Sequence, residues 1–445
     1  MDERTRKELL SENAELRRQV SDLQAEVEML RSMLSGGGSG AAPFIKPNRA
    51  QRREAERQER KKRKSSYVRK RDVPTEEVRH VVENCPDCGR KLTGGWEHAR
   101  RQVIEIPDTP VKVIEHVLIA RRCGVCGKVH IPKLGISDGV IGKQRVGPRL
   151  MSLIATLAIA KRMPQRMIQK LLEGLFEVHI SIGEINELLH RVSEWAKPTV
   201  VEILLRIRGS PDANADETGW REDGMNGYLW SVSTGMERFY YFHRRRAARI
   251  IRHILGGKFG GVLGCDFYKG YDWYLGPKQR CWVHLLRDVS KLVDRDASVG
   301  KWAEMVKDIH KAAKKAARRK VDDATRVLLR EALQERLLAI AEPYAKVKDA
   351  PQRVLAKRIY QYLPELFTFV EHPQVASNNN AAERAIRPAV ISRKISGGTR
   401  SPKGSQTKTR LMSVFATWSL QGKEPIAACA QMIVASQSSA AGCMQ

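Results

Sequence analysis

Apolar residues at the start of the chain recur with the spacing of a coiled coil. Leucines lie seven residues apart, and the alternate seam of the same heptads is apolar except for one asparagine. Val at position a with Leu at position d favours a parallel two-stranded coil, and a single Asn at a fixes its register. A lone amphipathic surface helix is the alternative, but it requires a wider apolar stripe. We predict a dimerising coiled coil over residues 1–34, with a seam formed by Leu9, Asn13, Leu16, Val20, Leu23, Val27 and Leu30.

Short amphipathic helices dominate the pattern between residues 140 and 198. Apolar spacing predicts helices over residues 149–161, 164–175 and 181–192, and Ser181 is a suitable N-cap for the last of them. Short helices joined by a turn are typical of a helix-turn-helix DNA-binding unit, and a plain helical bundle fits the pattern equally well. We therefore predict a helical segment and keep both interpretations of it.

The pattern then becomes mixed. Short runs predict three strands, a helix, a fourth strand, and a strand or strand–helix junction over residues 279–286. The weak first strand ends at Asp216, and the apolar fourth strand, residues 261–267, carries Asp266 at its end. This order of elements is that of an α/β unit with a ribonuclease H-like topology, in which the first and fourth strands lie side by side. We predict the first part of such a core over residues 199–287.

A long helical insertion separates this unit from the rest of the predicted core. Residues 288–372 have an almost wholly helical pattern, and the Lys/Arg run at 311–320 is either a solvated face or a clamp for DNA. Helical periodicity resumes over residues 410–435, in a helix that we expect to cover the sheet. The second part of the core and its C-terminal helix are predicted over residues 373–445.

Composition adds a large excess of positive charge. The chain of 445 residues has 79 Lys and Arg against 50 Asp and Glu, for a net charge of +29. Such an excess indicates a polyanionic partner, most often nucleic acid, without specifying any chemistry.

Part of this charge lies in a predicted linker over residues 35–75. Residues 35–40 read SGGGSG, and residues 49–71 contain twelve Lys or Arg against three Glu. This composition is typical of a solvated disordered segment or of an arm that follows DNA phosphates. In so basic a chain we favour the arm, whose most concentrated part is Lys61, Lys62, Arg63 and Lys64.

Cysteine spacing predicts a structural zinc site. Two C-x-x-C pairs are each followed by a glycine, which allows a tight turn that directs two thiolates at one metal. A redox dithiol requires only one pair, whereas four thiolates complete a closed tetrahedral Zn²⁺ site with no open position for catalysis. Alternating residues at 102–106 and 111–119 predict a hairpin between the pairs, and thus a zinc ribbon over residues 76–135. The ligands are Cys85, Cys88, Cys123 and Cys126.

This use of cysteine is typical of a reducing compartment. The sequence contains neither a secretory signal pattern nor an apolar run long enough to cross a bilayer. We therefore expect a cytoplasmic, nucleoid-associated prokaryotic protein with no membrane partner.

Three carboxylates form the candidate catalytic site. Asp216 and Asp266 converge if their strands are neighbours, and Glu383 lies on a helix that an Asn run opens. One aspartate at a strand end is most often a turn former, and one acid among cations is most often part of a solvated helix face. Three acids together can instead hold two Mg²⁺ or Mn²⁺ ions about 4 Å apart for phosphoryl chemistry. Candidate phosphate-binding cations follow on the same helix: Arg384, Arg387, Arg393 and Lys394.

These acidic motifs carry a resemblance to a known family. Residues 216–220 (DETGW), 265–271 (CDFYKGY) and 380–388 (NAAERAIRP), followed by Arg393-Lys394, resemble the DDE transposases of the insertion-sequence sixty-six family. The order of coiled coil, basic arm, zinc ribbon and helical segment is also similar. The sequence departs from the family pattern after Lys394, where Ile-Ser-Gly-Gly replaces Asn and a Leu-Phe pair.

The resemblance implies a catalytic triad of Asp216, Asp266 and Glu383 in a ribonuclease H-like domain. It also implies Mg²⁺ dependence, action on terminal inverted repeats, and companion proteins from the same element. We expect a transposase that cleaves phosphodiester bonds at element ends and joins the 3′-hydroxyls to target DNA. A DNA-binding regulator without chemistry and a metal-dependent nuclease of the same fold are the alternatives.

Overall fold

The computed structural model describes residues 73–74, 77–98, 100–101, 111–142, 144–257 and 259–442, with side chains as far as residue 437. The chain divides into two units, residues 1–107 and residues 108–445, and each is described here by itself. Several predictions lie outside the described residues: the coiled coil at 1–34, the basic arm with Lys61, Lys62, Arg63 and Lys64, and the strand at 102–106.

Four helices precede the sheet of the second unit. Ser181 caps the third as predicted, because its side chain accepts a hydrogen bond of 3.1 Å from the Glu184 N–H. The fourth helix continues past residue 198, where the sequence predicted the end of the helical segment and the start of the core. Pro198 lies in its first turn, where proline is tolerated because the N–H has no helical partner. The helices are α1 (Pro148–Ile159), α2 (Gln165–Phe176), α3 (Ile182–Trp195) and α4 (Lys197–Arg208).

A short hairpin and a five-stranded sheet contain the strands of this unit. The order in the large sheet is β5-β4-β3-β6-β7. In chain order, each of the first three strands of this sheet is antiparallel to the next. The fourth and fifth strands run parallel to the first. The first and fourth strands of the sheet are therefore neighbours, as predicted. The strands are β1 (Arg121–Arg122), β2 (Val129–His130), β3 (Asp212–Glu222), β4 (Met225–Ser233), β5 (Arg238–His243), β6 (Val262–Cys265) and β7 (Lys278–Arg280).

The first strand of the sheet is longer than the sequence suggested. We expected a short, weak strand that ends at Asp216, whereas β3 has eleven residues and continues to Glu222. It extends because β4 pairs with it as far as Glu222, opposite Met225. The parallel partner β6 pairs only with residues 212–214, so Asp216 lies where that neighbour has just ended.

Helix α5 (Ala248–Leu255) connects β5 to β6, and a helical insertion follows β7. The first insertion helix begins at Trp282, so the segment 279–286 is a strand–helix junction and the predicted boundary at residue 288 falls inside a helix. The insertion has its own apolar core. In the run at 311–320 the cations are exposed and two alanines are buried. The helices are α6 (Trp282–Arg295), α7 (Gly300–Ala317), α8 (Asp323–Ala345), α9 (Arg353–Tyr362) and α10 (Thr368–Glu371).

Three helices complete the unit: α11 (Asn380–Ser396), α12 (Pro402–Leu420) and α13 (Pro425–Gly442). The single helix predicted over residues 410–435 is thus two helices, separated at Gly422, whose φ of +67° favours glycine. Helix α12 packs on β5 and on α3, and α13 packs on α1. No helix in the described ranges is long and apolar enough to span a membrane.

Candidate active site

Strand register brings the two predicted aspartates together. β6 pairs with β3 through Asp212 opposite Val262 and Asn214 opposite Gly264. Continued by two residues, this register sets Asp216 level with Asp266, which directly follows β6. Asn214 and Asp216 point to the same face of the sheet because side chains alternate along a strand.

Crowding of negative charge is greatest at Asp216. Burial, followed by the charges of Glu217 and Asp266 and a smaller contribution from Glu383, raises the pKa of Asp216 to about 7. One oxygen of each aspartate accepts a backbone hydrogen bond of 2.9 Å, from Glu217 N–H to Asp216 and from Tyr268 N–H to Asp266. Within the described part of the chain, the second oxygen of each accepts no hydrogen bond. These second oxygens are therefore available to a cation.

Glu383 approaches this pair from the first turn of α11, which packs on β3 and β4. Its carboxylate is half-buried, and its Oε1 lies 3.7 Å from Nε2 of His284 on α6. Across the described residues, no three Asp, Glu, His or Cys side chains already enclose a metal position. The three carboxylates are thus an electrostatically coupled but open cluster.

Asn379 fixes the start of α11 beside Asp216. In the Asn run that opens the helix, Asn378 Oδ1 accepts a hydrogen bond of 3.0 Å from the Asn380 N–H, whereas the Asn379 side chain makes no capping hydrogen bond. Its Nδ2 instead donates to the Ala215 carbonyl at 2.9 Å, and its backbone N–H donates to Cys281 Sγ at 3.2 Å. Asn379 is buried, so these bonds tie α11 to the residue before Asp216.

The four predicted phosphate-binding cations have different surroundings. Arg393 donates from Nη1 to the Gly219 carbonyl and to Thr218 Oγ1, the latter at 3.3 Å. Its guanidinium therefore holds α11 against β3, a role that the sequence did not suggest. Arg384, Arg387 and Lys394 are exposed, and none has an ion pair or side-chain hydrogen bond in the region the structure describes.

A second buried acid, missed by the sequence analysis, lies next to Asp216. Glu217 accepts hydrogen bonds from Arg246 Nε at 2.6 Å and from the Tyr271 hydroxyl at 2.5 Å. Burial and the charge of Asp266 raise the pKa of Glu217 although these two partners lower it. Arg246 also stacks on the Tyr268 ring, 3.9 Å from its centroid. Residues 216–220 and 265–271 are thus joined by side-chain contacts beside the two aspartates.

The glycine-rich segment after α11 is hydrogen-bonded to the far end of β3. Thr399 N–H donates to the Arg221 carbonyl at 2.9 Å, and Asp223 N–H donates to the Thr399 carbonyl at 2.8 Å. The indole N–H of Trp220 donates to Thr399 Oγ1 at 3.1 Å. The segment in which the sequence departs from the family pattern therefore leads into a short connection that is hydrogen-bonded to the end of β3.

The cysteine pairs form two turns of the same kind. In the first unit, Gly89 N–H donates to the Cys85 carbonyl at 2.8 Å, and backbone hydrogen bonds from Asp87 and Cys88 lower the pKa of the Cys85 thiol. Such turns are suited to thiolate ligands, which must lose their protons to bind zinc.

In the second unit, Gly127 N–H donates to the Cys123 carbonyl at 2.9 Å, in the turn between β1 and β2. Backbone hydrogen bonds from Cys126 and Val125 lower the pKa of the Cys123 thiol. Glycines with positive φ, Gly89 at +73° and Gly127 at +70°, close both turns as their position after each pair predicted.

Comparison with known families agrees with this arrangement. Residues 143–407 match the model described as Transposase IS66 family, and residues 83–127 match the zinc-finger binding domain of transposase IS66. Because the first match covers more than half of the chain, the protein belongs to the IS66 family of transposases. The family is that of a transposase-type, DNA-binding enzyme, and the second match supports structural zinc.

A curated relative gives a weaker comparison. The uncharacterized protein y4jO of Sinorhizobium fredii (strain NBRC 101917 / NGR234) is 27% identical over 182 residues, which cover 39% of this chain and 55% of that protein. The chain therefore spans about half the length of this relative.

Proposed function

We propose that the protein is a DNA transposase that cleaves phosphodiester bonds at the ends of a mobile element and joins the 3′-hydroxyls to target DNA. The observation that carries the proposal is the crowding of Asp266 and Glu383 around the half-buried Asp216. We interpret the sheet of order β5-β4-β3-β6-β7 as a ribonuclease H-like core, because Asp216 lies on β3, Asp266 directly follows the neighbouring parallel strand β6, and Glu383 lies on a helix packed on β3 and β4.

The donor set fits hard divalent cations. Carboxylate oxygens are the ligands that Mg²⁺ and Mn²⁺ prefer, and a cation would offset both the burial of charge and the repulsion that together raise the pKa of Asp216. Asp216, Asp266 and Glu383 would hold the ions. When bound, two such ions supply activation of the attacking oxygen and stabilisation of the leaving oxygen.

The chain's own groups provide position and charge. Asn379 and Arg393 hold α11 at two points along β3, which keeps Glu383 beside the aspartates. His284 lies within ion-pairing distance of Glu383 and would limit its rotation. Arg384, Arg387 and Lys394 would hold phosphates of the bound strand. Their substitution should weaken DNA binding in a salt-dependent way.

The remaining parts would bring DNA and protomers together. The zinc turns, helices α1–α4 and the basic arm are our candidates for binding the terminal inverted repeats, with α2 and α3 either a helix-turn-helix unit or part of a bundle. The predicted coiled coil would pair two protomers, because two element ends must be cut in concert. Companion proteins of the same element are candidate partners, and we place the reaction on chromosomal DNA in the cytoplasm.

Strand-transfer assays on end-containing oligonucleotides with Mg²⁺ or Mn²⁺ test this function. Glu383→Gln should reduce cleavage and joining at least about a hundredfold, equivalent to about 2.7 kcal/mol of transition-state stabilisation. Glu342→Gln, at a half-exposed acid on α8, is the matched control. Cleavage without joining would instead indicate a nuclease. Metal-independent DNA binding without cleavage would indicate a regulator.

A further inference from the structure

A basic groove lies between the insertion and the loop that follows Asp266. It encloses about 430 Å³. One wall is formed by Phe267 and Lys269, immediately after Asp266, and the other by helix α9. The α9 groove therefore begins one residue from a proposed catalytic carboxylate.

Helix α9 turns a single face to this groove. Its lining residues lie at positions 353, 354, 357, 358, 361 and 362, a spacing that places them in one stripe along the helix. Three of these are cations, Arg353, Lys357 and Arg358, and Lys269 adds a fourth from the opposite wall. Among the described residues that line it there is no carboxylate, so the cavity is suited to an anionic ligand.

The two walls are joined by a buried ion pair. Arg280 is fully buried and donates to the Asp266 carbonyl at 2.7 Å and to Glu365 at 2.6 Å. Its guanidinium stacks on the ring of Tyr362, 4.4 Å from the centroid, and that ring lies 5.7 Å from the ring of Phe267. The groove is therefore preformed, and its base is fixed to the backbone of Asp266.

Several donors in the groove have no protein partner. The buried Nε of Arg353 makes no hydrogen bond in the described part of the chain. Lys269 and Lys357 are exposed and form no ion pair within the same residues. Arg358 is different, because it pairs with Asp288 at 2.8 Å and lies 5.1 Å from the centroid of Phe267. The half-buried Phe267 ring thus lies among cations beside the reaction centre.

From this geometry we infer that the α9 groove binds a single-stranded DNA segment next to the phosphate held at Asp216 and Asp266. Lys269, Arg353 and Lys357 contact its phosphates, and one unpaired base stacks on Phe267. A duplex keeps its bases paired and offers none to stack on Phe267, whereas single strands are bound by cations interleaved with aromatic rings. The inference rests on the proposed function for its place in the reaction.

Binding of full-length protein to fluorescein-labelled (dT)20, and to a 20-base-pair duplex, tests the groove directly. At about 0.3 M salt, which weakens contacts of the basic arm, Lys269→Ala/Lys357→Ala should lower affinity for (dT)20 about tenfold. It should also reduce the slope of log K against log salt by about 1.4, or about 0.7 for each phosphate that is no longer neutralised. Phe267→Leu should lower the affinity about tenfold without changing that slope. Duplex binding should change much less.

Lys301→Ala/Lys346→Ala, at two exposed insertion lysines outside the groove, is the matched control and should bind (dT)20 like the wild type. Hydrogen exchange provides a second measurement: (dT)20 should protect the backbone of residues 353–362 and the duplex should not. Equal binding by groove and control variants, or no protection of α9, would overturn the inference. If cleavage by wild type still depends on Glu383, the proposed function stands without the groove. If (dT)20 binding depends on the groove residues but the wild type cleaves no DNA, the groove stands and the proposed function fails.

Discussion

Asp216 and Glu217 are adjacent in the sequence and have different surroundings, because side chains alternate along a strand. The sequence indicated Asp216, Asp266 and Glu383 as candidate catalytic residues from their positions at predicted element ends and from the motifs around them. It did not identify Glu217, Asn379 or Arg280, whose partners Tyr271, Cys281 and Glu365 lie 54, 98 and 85 residues away. Contacts at such separations leave no local spacing that a single sequence could display.

The raised pKa of Asp216 makes stability depend on pH. An unfolded aspartate ionises near 3.8, whereas Asp216 in the fold ionises at about 7. Between these values the folded chain keeps a proton that the unfolded chain has lost, so stability falls as pH rises through this window. Asp216→Asn should therefore be more stable than wild type at pH 8 without added divalent cation, by up to about 4 kcal/mol.

Urea unfolding at pH 5 and pH 8 measures this difference, which should shrink at the lower pH. Added Mg²⁺ should stabilise the wild type and not the variant. Asp308→Asn, at an exposed acid on α7, should show neither effect. An Asp216→Asn advantage that is the same at both pH values would contradict a raised pKa at this position.

At the scale of elements, periodicity predicted which segments are helices and strands better than where they end. Pro198 suggested a boundary, but proline is compatible with the first turn of α4. Asp216 suggested a strand end, but pairing with β4 extends β3 to Glu222. In both cases the end depends on the backbone partners available in the fold, and these are not encoded in the local pattern.

The connection between α11 and α12 provides a prediction at this scale. Gly398 has φ of +124°, and a Cβ there would lie 2.1 Å from the carbonyl oxygen of Arg221. Gly398→Ala should therefore displace Thr399 from β3 and lower the free energy of unfolding by more than about 2 kcal/mol. Gly397→Ala is the matched control, because at φ of +70° its Cβ would meet no described atom within 4 Å.

Gly397→Ala should lower the free energy of unfolding by only about 1 kcal/mol, because alanine is strained by the left-handed backbone alone. Urea unfolding of both variants gives the comparison. Strand-transfer rates should fall with Gly398→Ala if the connection keeps α11 and Glu383 in place. If both variants lower the free energy of unfolding equally, the close approach to Arg221 is not what fixes this connection.

At the scale of the whole molecule, the sequence correctly predicted a zinc-finger region followed by a mixed α/β domain, and membership of the IS66 family. The α9 groove was not predictable, because its walls come from segments about 90 residues apart that meet through Arg280 and through the contacts of Phe267 with Tyr362 and Arg358. The helical character of the insertion was visible in the sequence, but its contact with the loop after Asp266 is a property of the folded chain.

The coiled coil over residues 1–34 gives the last prediction, which concerns assembly. Proline in a helix interior removes a hydrogen bond and costs about 3 kcal/mol, so Leu16→Pro/Leu23→Pro should prevent the seam from forming. The mass in solution, measured by light scattering, should fall from twice the chain mass to the chain mass. Gly37→Pro/Gly38→Pro introduces two prolines into the linker instead and should leave the dimer intact. Because two element ends must be cut together, the monomeric variant should still nick a single end while losing joint cleavage of paired ends. A dimer that survives both leucine substitutions would assign its assembly to another part of the chain.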